Sequence, residues 1–423
     1  MKNQLQFKSY YPWLIWGLGA FFFFIEYFLR VSPSVIHRDL MAEFHIKAVA
    51  LGVLSASFYY AYIIMQLPVG IVTDRYGPRK MLIFTTALCA FSCVLFAVSD
   101  SLLFASIARF LMGFSAAFAF VGTLKLASNW FDAKKFALLT GLTQTCGMLG
   151  AAVGDAPMSL LFNAISWRYA MLLFALILII LCLLMYFLLS NQPQNVEIIA
   201  KEHKTFYQKT NIFSQVKQAF GYPQLWLNCL FIGLLYGPTA MFAENWGVSY
   251  TASFRYIDTT EAAFLIGLIF IGLAIGCTFA GALSDRLKSR VKVMRYSAFM
   301  CFILMSLIIY VPGIPYELLI VCYFLYGVCN SGIVPSYTVS AELVPHPLSA
   351  TALGLTNMAS VLIGAILVQI VAEVLQSVWS GLVHHGFAVY TPSEFQTALI
   401  FVPIIFIGCF LLSFFIKETF VKA

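Results

Sequence analysis

The sequence predicts an all-α integral membrane protein whose twelve transmembrane helices form two pseudo-symmetric six-helix bundles. Three observations carry that prediction. Hydrophobic residues make up 61% of the chain and charged residues 10%, far less charge than a soluble domain carries. A polar phrase, Gly70-Ile71-Val72-Thr73-Asp74-Arg75-Tyr76-Gly77-Pro78-Arg79-Lys80, interrupts this apolar background. It returns half a chain length later as Gly281-Ala282-Leu283-Ser284-Asp285-Arg286-Leu287-Lys288-Ser289-Arg290, with Gly, Asp, Arg and the second Arg at matching offsets. A loop repeated at half the length implies two copies of one fold. Lys and Arg are also segregated. Arg38, Lys47, Arg168 and Arg255 fall on one side of the membrane, and Arg30, Arg109 and Lys125 fall inside spans. The rest of the 25 lie in the termini and in alternate loops sharing the other side. By the positive-inside rule both termini are cytoplasmic, in a cell (inner) membrane protein.

At about 20 residues per span, twelve spans need roughly 240 residues, which 423 residues hold with short loops. Spans 1 to 6 are read at 13–35, 48–74, 80–98, 102–127, 135–161 and 168–189. Gly77-Pro78 stops span 2, because Gly accepts a left-handed cap and Pro cannot continue a helix. Residues 191–222 are polar and form a cytoplasmic linker, with a candidate surface-lying amphipathic helix around 213–220. The halves are therefore 1–190 and 223–423. Spans 7 to 12 are read at 225–248, 262–283, 293–311, 317–343, 349–375 and 395–416. Gly141-Leu142-Thr143-Gln144 in span 5 is echoed by Gly354-Leu355-Thr356-Asn357 in span 11. Lys2 and Lys8 precede an apolar stretch longer than a signal-peptide core, which is read as span 1.

The first polar phrase resembles the signature loop of the major facilitator superfamily, Gly-x-x-x-Asp-Arg-x-Gly-x-Arg-Lys between helices 2 and 3. In the second copy Ser289 replaces the inner glycine and Val291 the lysine. The resemblance covers essentially the whole chain and implies the major facilitator fold: two halves rocking around a central site lined by helices 1, 4, 7 and 10. It implies that Gly70, Asp74, Arg75, Gly77, Arg79, Lys80, Gly281, Asp285 and Arg286 serve as conformational loops. Asp74 is expected near the start of span 11, where a helix N-terminus favours a carboxylate. Tyr27-Phe28-Leu29-Arg30 resembles the Tyr-x-Asp-Arg motif of the anion:cation symporter branch, with Leu29 in place of the Asp. Arg109-Phe110-Leu111-Met112-Gly113 is similar to the superfamily's helix 4 Arg-x-x-x-Gly pattern. Gly147, Gly150 and Gly154 before Pro157 resemble its glycine-rich helix 5 motif; a plain packing seam explains them equally well.

Charges inside a bilayer cost several kcal/mol each unless paired or hydrated, so the few present are informative. Glu26 and Arg30 are spaced i,i+4 on one face. They either form a substrate and proton site or only neutralise each other. Arg30 and Arg109 fall roughly 25 Å and 10 Å along oppositely running helices, at comparable depth, and are expected to point into one cavity and bind a carboxylate. Lys125 lies about 160° around the helix from Arg109 and is read as snorkelling or pairing locally. Gln144 and Asp155 share a face, as a cavity pair or a tether. The expected substrate-binding residues are Arg30, Arg109, Tyr27, Tyr236, Asn330 and Tyr337, the last two seven residues apart and so on one face. The expected proton-coupling residues are Glu26 and Asp155. Span 2 adds Tyr59, Tyr60 and Gln66; span 7 adds Glu244, Asn245 and Trp246.

No nucleotide-phosphate loop, metal-ligand cluster or nucleophile-base pair appears, so an enzyme is not expected, nor a cofactor or a nucleic-acid partner. The ten cysteines sit in apolar segments as packing residues, and His384-His385 lacks a third metal ligand. The expected function is secondary transport of a small carboxylate-bearing solute by alternating access, with protons as the coupling ion and the monomer as the functional unit. Competing readings are an amino-acid or dipeptide carrier resembling the lysosomal dipeptide branch, an importer of polycarboxylate siderophores, and a solute sensor that does not transport.

Overall fold

Helices long and apolar enough to cross a membrane dominate the computed structural model, which describes residues 10–31, 40, 43–44, 48–154, 165–191, 218, 221–257, 259–381, 383–384, 387–388 and 390–420. Eleven such helices occur among the described residues, and a twelfth is a bent pair. The first six are α1 (Tyr11–Val31), α2 (Ala48–Tyr76), α3 (Pro78–Ala97), α4 (Leu102–Trp130), α5 (Ala133–Gly154) and α6 (Trp167–Leu188). The second six are α7 (Pro223–Met241), α8 (Thr259–Arg286), α9 (Arg290–Tyr310), α10 (Tyr316–Asn330), α11 (Ser349–Val378) and α12 (Phe401–Leu412). Val383–His384 and Phe387–Ala388 form a two-residue antiparallel pair between α11 and α12.

Departures from the expected spans have local causes. The bent span is α2, whose segments Ala56–Gln66 and Pro68–Tyr76 meet at 56°; Pro68 removes a hydrogen bond and clashes with the preceding turn. α7 contains Pro238 and runs into a π-helical turn, Phe242–Trp246, before resuming as Gly247–Arg255. α10 stops at Asn330 and resumes as Ile333–Glu342, the break falling at Ser331-Gly332, a turn-forming pair. Before α12, Thr391 and Glu394 form a capping box on Pro392–Ala398, satisfying two orphan N–H groups. Asp155 and Pro157 of span 5, most of the 191–222 linker, and His385 lie outside the described residues.

Contacts divide the chain into two compact units. The first holds Met1–Leu139, Cys146–Ala219 and Pro345–Gly354; the second holds Thr140–Thr145, Phe220–Val344 and Leu355–Ala423. In the first unit α4 is the central post, packed on α1, α2 and α3. Every residue from Ser115 to Ala127 is buried, as expected of a helix that is apolar all round. α6 is the opposite case: only 28% of its spanning window is buried, so most of it faces lipid.

The polar phrase ending α2 is fully engaged within the first unit. Asp74 Oδ1 accepts from Lys125 Nζ at 2.7 Å and from the Ala350 N–H at 3.2 Å; Oδ2 accepts from the Thr351 N–H at 2.8 Å and its hydroxyl at 2.9 Å. These N–H groups belong to the first turn of α11, where the helix dipole attracts a carboxylate. Lys125 also donates to the His346 carbonyl at 2.9 Å and to Ser349 Oγ at 2.8 Å. It pairs inward and does not snorkel. Gly70 lies one turn before Asp74, and a Cβ there would meet the Ala350 carbonyl. Glycine is what lets the carboxylate reach the helix end. Gly77 takes φ +83°, the left-handed value that glycine accepts without strain, and the next residues open α3.

In the second unit the equivalent loop is built with different chemistry. Ser289 takes the N-cap position that Gly77 holds, while the left-handed conformation passes to Lys288 at φ +48°. Arg290 Nη1 donates to Ser284 Oγ at 2.7 Å and pairs with Asp285; Nη2 reaches Glu342 Oε1 at 3.3 Å. Glu418, six residues past α12, accepts from the Ser289 hydroxyl and from the Arg290 and Val291 N–H groups at 2.9 and 3.3 Å. Burial raises the Glu418 carboxyl, but the hydrogen bonds from Ser289 and Arg290 outweigh it and hold it below its ordinary value of 4.5. A carboxylate with a depressed folded pKa stabilises the protein above its unfolded pKa, and that contribution vanishes as pH falls through the folded value. Glu418→Ala should therefore lower stability by about 1 kcal/mol at pH 7, a screened value for an exposed group. In thermal unfolding across pH, the gap from wild type should close below the ordinary carboxylate range.

Candidate functional site

The charges within the membrane-spanning part of the first unit, apart from the Asp74–Lys125 pair, gather where α1, α2 and α4 meet. Glu26 is buried, and its Oε1 accepts from both Nε (2.9 Å) and Nη2 of Arg30, one turn later on α1. Glu26 Oε2 is buried with no hydrogen-bond partner among the described residues. The Arg30 guanidinium carbon lies 4.3 Å from the ring centres of both Tyr27 and Tyr62, and 5.7 Å from that of Phe58. Aromatic faces attract cations, so these rings hold the guanidinium while its edges stay available. The edge formed by Nε and Nη2 faces Glu26. Nη1 makes no hydrogen bond to a described residue, and the side chain keeps 11% of its surface exposed. A guanidinium has two forked edges; Arg30 commits one, Nε and Nη2, to Glu26.

Arg109 is deployed differently. It is 2% exposed, and Nη1 donates to the Leu29 carbonyl at 2.8 Å, with Nη2 3.5 Å from the Arg30 carbonyl. Four residues after Leu29 the chain has Pro33, which carries no N–H to offer that carbonyl. The guanidinium carbon sits 4.9 Å from the Phe58 ring centre. Among the described residues, the guanidinium of Arg109 thus meets the backbone of α1. A carbonyl acceptor has no side-chain signature, so sequence spacing does not reveal it.

Glu26, Arg30 and Arg109 leave one uncompensated positive charge in this cluster, counted over the described residues. Each ionised group in a span costs about 2.5–3.5 kcal/mol or more unless compensated, so the surplus cation favours an anion at the accessible edge of Arg30.

Small residues bring the helices this close. A Cβ at Gly113 would overlap the Phe58 carbonyl oxygen of α2, and a Cβ at Gly150 that of Phe24 on α1. At Gly147 it would lie 2.6 Å from the Phe23 ring and 2.9 Å from the Tyr27 ring. Gly147 and Gly150 thus pack closely against the part of α1 that carries Phe23, Phe24 and Tyr27.

The expected residues of the second unit are engaged in that unit's own packing. Tyr236 donates to Glu244 Oε1 at 3.0 Å. Asn330 is fully buried and donates to the Leu235 carbonyl at 2.9 Å. Tyr337, also buried, donates to Asn357 Oδ1 at 2.8 Å. The break in α10 falls between Asn330 and Tyr337, so their seven-residue spacing no longer fixes a shared face. Phe58 and Tyr62 were not singled out by sequence reasoning; their one available signal is the i,i+4 spacing beside Tyr59 and Tyr60.

Comparison with known proteins adds independent information. The family model described as Major Facilitator Superfamily matches residues 16–368. The "Probable sulfoacetate transporter SauU" of Cupriavidus necator is 25% identical over 303 residues, 70% of this chain and 69% of that protein. The hexuronate transporter of Bacillus subtilis is 26% identical over 260 residues, 60% of each chain. Among solved structures, the Escherichia coli transporter FucP in its outward conformation superposes with a TM-score of 0.74 at 13% identity, covering 96% of this chain and 99% of that one.

Gly113→Ala should be poorly tolerated, because α2 must move to admit the methyl group. Overpacking of this kind costs about 1–3 kcal/mol. Thermal unfolding of the purified variant should show the loss, and unchanged stability would mean α2 and α4 do not meet at this glycine.

Proposed function

Because the chain belongs to the major facilitator superfamily, and so is a membrane transporter of a small-molecule solute, we propose that its substrate is a small organic anion carried with a proton. The observation behind this reading is that Arg30 commits only Nε and Nη2 to Glu26 and makes no hydrogen bond through Nη1 to a described residue, in a cluster carrying one surplus positive charge over the described residues. Guanidinium and carboxylate match bidentately, and sulfonate offers the same negative oxygens. Relatives named for sulfoacetate and hexuronate carry such groups. Arg30 then contacts the anion, with Tyr27 and Tyr62 holding the guanidinium. Tyr236, Asn330 and Tyr337 stay as candidate contacts from the second half, and Asp155 as a second candidate proton site.

Glu26 supplies the coupling in this proposal. Ionised, it holds Arg30 through Oε1; protonated, it releases its claim on the guanidinium, which then binds the anion more strongly. Proton and substrate therefore favour each other's binding, and each changes the other's affinity by the same factor. A zwitterionic amino acid or dipeptide fits less well, since both Glu26 oxygens are buried and unavailable to an ammonium group. Alternating access would use the two halves, 1–190 and 223–423, joined by the 191–222 linker. Asp74, Lys125 and the first turn of α11 would act as a latch. The asymmetry of Lys and Arg supports cytoplasmic termini, and the proposal takes an inner-membrane protein with the monomer as its functional unit.

The test is uptake of labelled sulfoacetate and D-glucuronate into proteoliposomes, with and without an inward proton gradient. Arg30→Lys should weaken binding of the transported anion at least roughly tenfold, about 1.4 kcal/mol. Glu26→Gln should abolish accumulation against a gradient while leaving exchange across the membrane measurable. Normal transport by Arg30→Lys would reduce Arg30 to a structural partner of Glu26, and normal accumulation by Glu26→Gln would remove Glu26 from coupling.

A further inference from the structure

We infer that Arg109 is a positioning residue: it sets the end of α1, and with it the orientation of Arg30, without touching the substrate. Its functional consequence rests on the reading of Arg30 as the anion contact. The geometry is specific. Arg109 holds the Leu29 carbonyl at 2.8 Å and lies 3.5 Å from the Arg30 carbonyl, so it fixes the backbone of the residue directly before the one whose side chain faces the anion.

Arg109 also sets the other wall. Its guanidinium lies against Phe58, and that ring packs on Tyr62 with centres 6.2 Å apart and planes at 12°. Tyr62 in turn is one of the two rings 4.3 Å from the Arg30 guanidinium. One turn further along α4, Gly113 admits the Phe58 backbone so closely that no other residue fits. Arg109-x-x-x-Gly113 thus works as a jig: the arginine fixes α1, the glycine fixes α2, and between them Arg30 and its aromatic supports are aligned. Arg109 is 2% exposed, with Nε facing no polar partner among the described residues. A solute reaching Arg109 would have to displace Phe58 or the end of α1.

Lysine keeps the charge and can still donate to carbonyls, whereas methionine keeps only the bulk. Lys at position 109 should therefore rescue what Met loses, and Lys at position 30 should not. Hydrogen–deuterium exchange of the purified protein reads the positioning directly. In Arg109→Met, peptides covering 27–31 should exchange roughly tenfold faster or more; in Arg109→Lys and in Arg30→Met they should stay protected. Binding of sulfoacetate and D-glucuronate supplies the second readout. Affinity should fall at least tenfold in Arg109→Met and stay within about threefold of wild type in Arg109→Lys. Unchanged exchange at 27–31 in Arg109→Met would overturn the inference. So would an affinity loss in Arg109→Lys equal to that in Arg30→Lys, since a residue that touches the anion should be as intolerant of lysine as Arg30 is. If wild type binds neither anion, the substrate reading fails, and the exchange measurement still decides whether Arg109 positions α1.

Discussion

The cost of holding an ionised group inside hydrocarbon is the constraint on which this structure depends. Removing a carboxylate or guanidinium from water is penalised unless a partner or dipole replaces the hydration, and among the described residues the buried charges of the first unit have found different replacements. Glu26 and Arg30 replace it with each other, Arg109 with two helix-end carbonyls and an aromatic face, and Asp74 with Lys125 and the N-terminal turn of α11. The Asp74–Lys125 pair is neutral, which suits a structural latch. The Glu26, Arg30 and Arg109 cluster is not neutral, and its excess lies beside the one guanidinium edge that no described residue covers.

The two polar loops answer one problem with different chemistry. In the first unit, glycine supplies both the close approach at Gly70 and the left-handed turn at Gly77. In the second, Lys288 accepts the strained conformation, and Ser289 and Glu418 supply the N–H acceptors that open α9. Sequence decay at the second copy is thus offset by a residue more than a hundred positions away. Among the described residues, the second unit's ion pairs, Arg290 with Asp285 and with Glu342, lie at helix ends, whereas the first unit also holds one, Glu26 with Arg30, inside a span.

The fold was legible because membrane-spanning helices are written in composition, and the loops because polar residues stand out against apolar sequence. Glu26 with Arg30 was legible because their spacing matches the helical repeat. The acceptors of Arg109 were not legible for a physical reason: they are backbone carbonyls, identical at every position, so only coordinates reveal them. Tyr62 was hidden among 21 tyrosines, and its role follows from helix packing that Gly113 permits. The break in α10 was signalled by Ser331-Gly332, but hydrophobicity on both sides masked it, and it falls between Asn330 and Tyr337.

The central claim is that surplus positive charge beside Arg30 selects an anion. The most direct measurement is thermal stabilisation of the purified wild-type protein by matched pairs of solutes, each an organic acid and its neutral counterpart, such as D-glucuronate with D-glucose. A ligand that binds the folded state raises its apparent stability, by about 2.7 kcal/mol at a hundredfold excess over Kd. The account predicts that acids stabilise while their neutral counterparts do not. Stabilisation by a neutral solute, with none from any acid, would contradict it.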